Sequence, residues 1–513
     1  MKGILLLVTM CVLGQHNVYC QKKYNIKDFG AIADGKTLNT EKIQAAIDKA
    51  SSAGGGQVVV PEGKFLTGTI ILKSGVDLYL SPKAVLLGST SPYDYPFMKE
   101  VLVKGSSKDA ESIGALIGAK SADHISITGQ GTIDGQGRKL ALNIDSLFYV
   151  GQLDTMYYNL RRKRPGRRPG DIKFESCENV TVSGVTIKNA AGWVQTYDLC
   201  KNLTIDHIRV ESDAYWNNDG MDIVDCSNVR ITHCFVNAAD DGICLKSEHA
   251  GHLNDGVYID DCTVRSSASA VKFGTASTGG FKNIVIKNIR VFDTFRSAIA
   301  IESVDGGILE NVLVDSIFAT NTGNPIFIRL GHRNVDGPVG TLKNIVIKNI
   351  TVEVPFGRPD ANYDLRGPDL DFFHNPFPSS IVGLPGHPVE NVVLENIRIS
   401  YPGNGNDGLA FLPLFRLATV PENEKGYPEF SMFGELPAWG FYVRHVSGLT
   451  MKNISITARA KDYRPGCVFD DVNGLTLDQW KVREDGDAGQ QYILKDVTNT
   501  HLNVDETLVK TIH

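Results

Sequence analysis

The sequence predicts an all-β fold, a single-stranded parallel β-helix (a solenoid) with a short N-terminal helical cap. Three observations point there. A motif of Asn or Gly followed by alternating apolar and polar residues recurs, as in Asn179-Val180-Thr181-Val182, Asn202-Leu203-Thr204-Ile205 and Asn228-Val229-Arg230-Ile231. Its steps from Asn179 to Asn283 are 23, 26, 28 and 27 residues. Little helical periodicity separates the repeats. Alternation over four to eight residues is the strand signal, and a period of about 20–50 residues is the solenoid signal. The lack of intervening helices argues against βαβ units. Each coil then stacks on the next at about 4.8 Å.

From the N-terminus, Met1–Cys20 reads as a secretory leader: Lys2, the apolar run Ile4–Leu13, then Val18-Tyr19-Cys20 before Gln21. This predicts a secreted or periplasmic protein, with 21–513 as one β-helix domain. A lipid anchor on Cys20 is disfavoured because Tyr19 stands where a small residue is expected. Thr40–Ala53 predicts the capping helix, with Thr40 as N-cap, Ile43, Ala46 and Ile47 on one face, and Gly54–Gly56 as the stop. Terminal coils need such a cover.

The repeats follow, through Gly256, Asn283, Asn344, Asn391, Gly448 and Gly474. The recurring Asn predicts a ladder, each amide bonding the backbone at the turn of the next coil. Cys177, Cys200 and Cys226 precede it by two residues and predict a column of buried thiols. Disulfides between coils are geometrically open. Without Cys11 and Cys20, seven of the nine Cys remain, an odd number and not a disulfide scaffold. No Cys-x-x-Cys or His-Glu-x-x-His pattern appears, so no metal and no cofactor is expected.

The run Arg161-Arg162-Lys163-Arg164, with Arg167 and Arg168, reads as a solvated loop or a patch for an acidic polymer. Val354–Pro388 and Tyr401–Phe441 interrupt the repeats. In solenoids such insertions gather on one face, often the binding face, and these two would wall off one end of a groove. The net charge of −6 gives no general attraction for nucleic acid. After the leader no stretch reaches the roughly 20 apolar residues of a membrane span. A soluble monomer is expected.

Aligning the inward residues Ile223, Leu245, Phe273 and Ile301 sets the chemistry on the coils. Asp219, Asp241, Ser269 and Ser297 then share one column; Asn218, Asp240, Ala268 and Arg296 share the next. Asp222, Cys244, Lys272 and Ala300 form a third. Asp219, Asp240 and Asp241 therefore cluster, with Lys272 and Arg296 on later coils. Like charges this close shift one another's pKa. A carboxylate cluster beside basic groups suits glycoside hydrolysis; a structural Asp network or a Ca²⁺ site is the other reading.

Tyr24-Asn25-Ile26-Lys27-Asp28-Phe29-Gly30, Gly131-Thr132-Ile133-Asp134-Gly135-Gln136-Gly137, Asn217-Asn218-Asp219-Gly220 and Asp240-Asp241 together resemble glycoside hydrolase family 28. These are the polygalacturonases and rhamnogalacturonan hydrolases that cut pectin. The resemblance implies a right-handed β-helix, a pectic poly- or oligosaccharide substrate, and inversion. It implies Asp240 as general acid, Asp219 and Asp241 as base, and Asn217 at the substrate. Column neighbours about 5 Å apart would by themselves read as retaining.

Two family motifs are absent. Gly-His-Gly falls on Ala268-Ser269-Ala270, and the carboxylate-gripping Arg-Ile-Lys falls on Ala300-Ile301-Glu302. That favours rhamnogalacturonan or a decorated pectin over plain galacturonan. Lys272, Arg296, Arg329 and His332 are the candidates to bind a substrate carboxylate instead. The competing functions are a β-helix polysaccharide lyase and a non-catalytic carbohydrate-binding β-helix.

Overall fold

The computed structural model describes residues 22–95, 114–152, 158–160, 163–166, 168–360, 377–483 and 491–512. The leader-like segment lies outside these, as do Arg161, Arg162, Arg167, Tyr363, Phe372 and Phe373. All but two of the described strands join one sheet system in which every pairing is parallel. Most strands bond the strand one coil earlier and the strand one coil later.

The repeat dictates this. Ile205, Ile231, Ile259, Ile286, Val314 and Ile347 stand at one register on successive coils, and all are buried. Burying a side chain of this size contributes about 1.5–3 kcal/mol, so one apolar residue per strand per coil builds a continuous core. The expected register holds: Ile223 faces Leu245 and Leu245 faces Phe273, while Asp222, Cys244 and Lys272 share the outward column. Later strands are longer than the motif suggests, because pairing runs through the corners; Gly280–Ser303 and Ile308–Leu330 are single strands.

The Asn ladder exists but bonds differently. Asn179, Asn202, Asn228, Asn283, Asn311, Asn344 and Asn391 all turn at φ 53–60°, a left-handed conformation that Asn tolerates. Each amide donates to a side-chain oxygen one coil earlier rather than to backbone, as Asn202 to Asn179 at 3.0 Å and Asn228 to Asn202 at 2.7 Å. The seven described Cys are free and buried. Cys200 and Cys226 donate to backbone carbonyls, which explains the column without disulfides.

The expected helix spans Thr40–Ser52 and buries Ile43, Ala46, Ile47 and Ala50. Asn39, not Thr40, precedes it, and the Thr40 hydroxyl instead accepts from Gly68 N at 2.8 Å. A second helix, Gly137–Tyr149, was not anticipated; its Leu140, Ala141 and Ile144 are buried. No helix among the described residues is long and apolar enough to cross a membrane.

The insertion after Tyr401 folds onto the outer face of the later coils. Leu412, Leu417, Phe430, Phe433 and Leu436 pack against Ala300, Phe327, Tyr442 and Val468 in a second apolar cluster. Phe411 and Phe415 remain exposed, whereas Trp439 is buried.

Candidate active site

Asp219 and Asp241 each end a turn and are each followed by Gly. The reason is space. A Cβ on Gly220 would meet Gly242 O at 2.5 Å, and one on Gly242 would meet Ala270 O at 2.6 Å. The chain passes too close to the next coil for a side chain, and this tightness sets both carboxylates on the sheet's outward face one coil apart. The backbone bond from Gly220 N to Asp241 O is 2.8 Å.

Asp219 is buried, and its Oδ2 lies 3.0 Å from Lys246 Nζ. The same ammonium lies 2.7 Å from Asp222 Oδ1 and 3.4 Å from the centre of the Trp193 ring. Burial raises the Asp219 pKa well above the carboxylate range; Lys246 opposes this and Asp222, Asp240 and Asp241 reinforce it. Burial likewise pushes Asp222 up to about 6. For Lys246 burial works against the charge, but Asp219 and Asp222 outweigh it and raise its pKa. One ammonium thus serves two buried carboxyls whose pKa values burial raises.

Asp241 is held the other way. Its Oδ2 is 3.2 Å from Lys272 Nζ, and its Oδ1 accepts from Ser269 N at 3.0 Å. Burial would raise its pKa, but Lys272 and Arg296 overcome this and lower it. Asp240 is half-buried. It accepts from Asp241 N at 3.1 Å and lies 3.5 Å from the Asn217 amide. Among the described residues no cation stands within ion-pair distance of Asp240, which sets it apart from both neighbours.

The expected binding residues fare unequally. Asn217 lies in the site, anchored by Arg168 Nη2 at 3.1 Å. Arg168 is buried beside Tyr215, and Arg164 is buried over the Trp216 ring, so the described arginines of the basic run brace this turn and are not solvated. Lys272 is only 1% exposed: besides Asp241 it meets Tyr427 Oη at 3.3 Å and Glu302 at 4.0 Å. Arg296 is paired with Glu429 at 2.9 Å. Arg329 is wholly buried and donates to the carbonyls of Gly383, Glu422 and Asn423, where it holds the insertion down. His332 is spent on Gly337 O at 3.0 Å. Neither of these last two offers a free charge to a substrate.

Lys246, Trp193, Tyr427 and Glu429 were not singled out from the sequence. Strand alternation through Ile243-Cys244-Leu245-Lys246 would have found the first. Nothing local marks Tyr427, which reaches Lys272 across 155 residues of chain.

Glu302 occupies the place of a lost basic side chain. Burial lifts its pKa to about 8, against Lys272. The folded protein thus holds a proton that the unfolded chain releases near 4.5. That stability is complete below 4.5 and is lost as pH rises toward about 8. Glu302→Gln, which keeps the shape, is expected to flatten the fall of Tm across this window in scanning calorimetry; an unchanged slope would refute the assignment.

The sequence matches Glycosyl hydrolases family 28 over residues 51–358. It is 28% identical over 336 residues to a probable polygalacturonase of Vitis vinifera, covering 64% of this chain and 60% of the relative. It is 23% identical over 440 residues to an exo-poly-alpha-D-galacturonosidase of Dickeya chrysanthemi, covering 74% and 71%. In structure it is similar to a family 28 exopolygalacturonase of Yersinia enterocolitica, with TM-score 0.61, 20% identity and coverage of 94% and 78%. An exopolygalacturonase of Thermotoga maritima gives TM-score 0.59, 22% identity and coverage of 85% and 91%. These two share the fold.

Proposed function

The chain belongs to glycosyl hydrolases family 28, and we propose that it hydrolyses a glycosidic bond of a pectic polysaccharide or oligosaccharide with inversion, at a bond flanked by a neutral sugar. The observation that carries the chemistry is the division among three carboxyls: Asp219 and Asp241 each bear a lysine, and Asp240 bears none. Asp240, half-buried and outside both ion pairs, is the carboxyl left to face the leaving oxygen and protonate it. Asp241, held ionised, accepts a proton from the attacking water, and Asp219 orients that water.

The substrate reading rests on charge. The three cations beside the catalytic carboxyls, Lys246, Lys272 and Arg296, are each already paired, with Asp219 and Asp222, Asp241 and Glu429. Among the described residues, a uronate carboxylate beside Lys246, Lys272 or Arg296 would meet a cation already engaged, whereas a neutral rhamnose needs none. This favours rhamnogalacturonan or a decorated pectin over plain galacturonan. The insertion sets Tyr427 against Lys272 and Glu429 against Arg296, beside the catalytic carboxyls, which supports exo action. The helix Thr40–Ser52 is read as the N-terminal cap of a right-handed β-helix, and Met1–Cys20 as the leader of a secreted or periplasmic protein.

Defined pectic fragments test this. The expected result is faster release of reducing ends from rhamnose-containing fragments than from galacturonan of equal length. The first-formed anomer should be inverted by proton NMR, with no ultraviolet-absorbing unsaturated uronide. Faster cleavage of plain galacturonan would remove the charge argument, and an unsaturated product would mean elimination. Exo action predicts one short product and slow viscosity loss; a broad oligomer ladder would contradict it.

A further inference from the structure

One turn of the solenoid departs from the Asn pattern. Between the strands Lys201–Asp206 and Arg209–Ser212 the chain turns through His207, and one coil later through His233. Both residues sit at positive φ, 53° and 54°, as do Asp261 and Asn288 on the next coils. Their rings stack with centroids 4.4 Å apart and interplanar angle 27°. Both Nδ1 atoms face one carboxylate: His207 Nδ1 is 2.7 Å from Asp206 Oδ2, and His233 Nδ1 is 2.8 Å from Asp206 Oδ1.

We propose that Asp206, His207 and His233 form a surface binding site for a divalent late first-row transition-metal ion of the zinc class. Two imidazoles with one carboxylate are ligands of this class. One ligand atom from each residue lies within 4.8 Å of the others. An ion about 2.0–2.1 Å from each imidazole nitrogen would take the place at the ring edges where both Nδ1 atoms meet the Asp206 carboxylate. The Thr232 hydroxyl donates to Asp206 Oδ1 at 2.5 Å and fixes the carboxylate's rotation.

Coordination through Nδ1 moves each neutral ring's proton to Nε2. The Asp261 carboxylate stands 3.9 Å from His233 Nε2, on the side where a metal-bound imidazole carries its remaining N–H. Three protein ligands leave a coordination position open to water. The site lies on a different turn of the coil from Asp219 and Asp241. A spacing of one whole coil between the two His hides the pair from any short-range motif.

Isothermal titration of metal-free protein with Zn²⁺ in a non-chelating buffer tests this. The expected result is saturable binding of one ion, lost in the His207→Asn/His233→Asn double variant. Asn suits the left-handed turn, so that variant keeps the backbone conformation. Cu²⁺-loaded wild-type protein should show superhyperfine coupling to two imidazole nitrogens in electron paramagnetic resonance, a readout that needs no variant. No saturable binding at millimolar Zn²⁺ would overturn the proposal. So would undiminished binding by the double variant, which would move the ion elsewhere, for instance to Asp219, Asp222 and Cys244.

Discussion

Asp240→Asn is expected to lower kcat by about 10²-fold or more, the usual scale for losing a general acid. The fold should survive. Asp240 is half-buried and has no ion pair to break, and Asn can still accept from Asp241 N. In the same assay Asp219→Asn should also lose activity, but with a falling Tm, since it strips a buried carboxylate from Lys246. A leaving group that needs no protonation, such as an activated aryl glycoside, should recover much of the Asp240→Asn loss and none of the Asp219→Asn loss. Turnover near wild type in folded Asp240→Asn protein would end the assignment.

Much of the fold was legible because a β-helix converts sequence period into spatial register. Ile223, Leu245 and Phe273 aligned as their spacing implied, and that alignment alone brought Asp219, Asp240 and Asp241 together. What stayed hidden lies outside the period. Tyr427 and Glu429 arrive on an insertion with no repeat, so no counting places them against Lys272 and Arg296. The direction of the Asn amides was misjudged because turn preference says which residue turns, not what its side chain bonds. Arg164, Arg168 and Arg329 were read as charges facing water or substrate. Each is long enough to bury its stem and direct its head to a carbonyl or a ring, and residue type does not distinguish these outcomes.

Lys272→Met should carry the other large effect, and it separates two roles. The sequence suggested a grip on a substrate carboxylate, but the structure ties Lys272 to Asp241 at 3.2 Å and buries it. Removing one partner of a buried pair costs about 3–5 kcal/mol, so Tm should drop well below wild type. Lys272 helps hold the Asp241 pKa low. A depressed carboxylate contributes stability above its unfolded pKa and loses it as pH falls through the folded one. The Tm gap between wild type and variant should therefore narrow in acid. Without the ammonium the Asp241 pKa rises, so the acid limb of the kcat profile should move to higher pH. Uronate-containing and carboxyl-reduced substrates should suffer alike, because what is lost is the charge state of Asp241. Lys272→Arg, which keeps the charge, should restore part of the acid limb. A loss confined to uronate substrates, as raised KM with an unmoved acid limb, would instead make Lys272 a substrate contact and sink the positioning role.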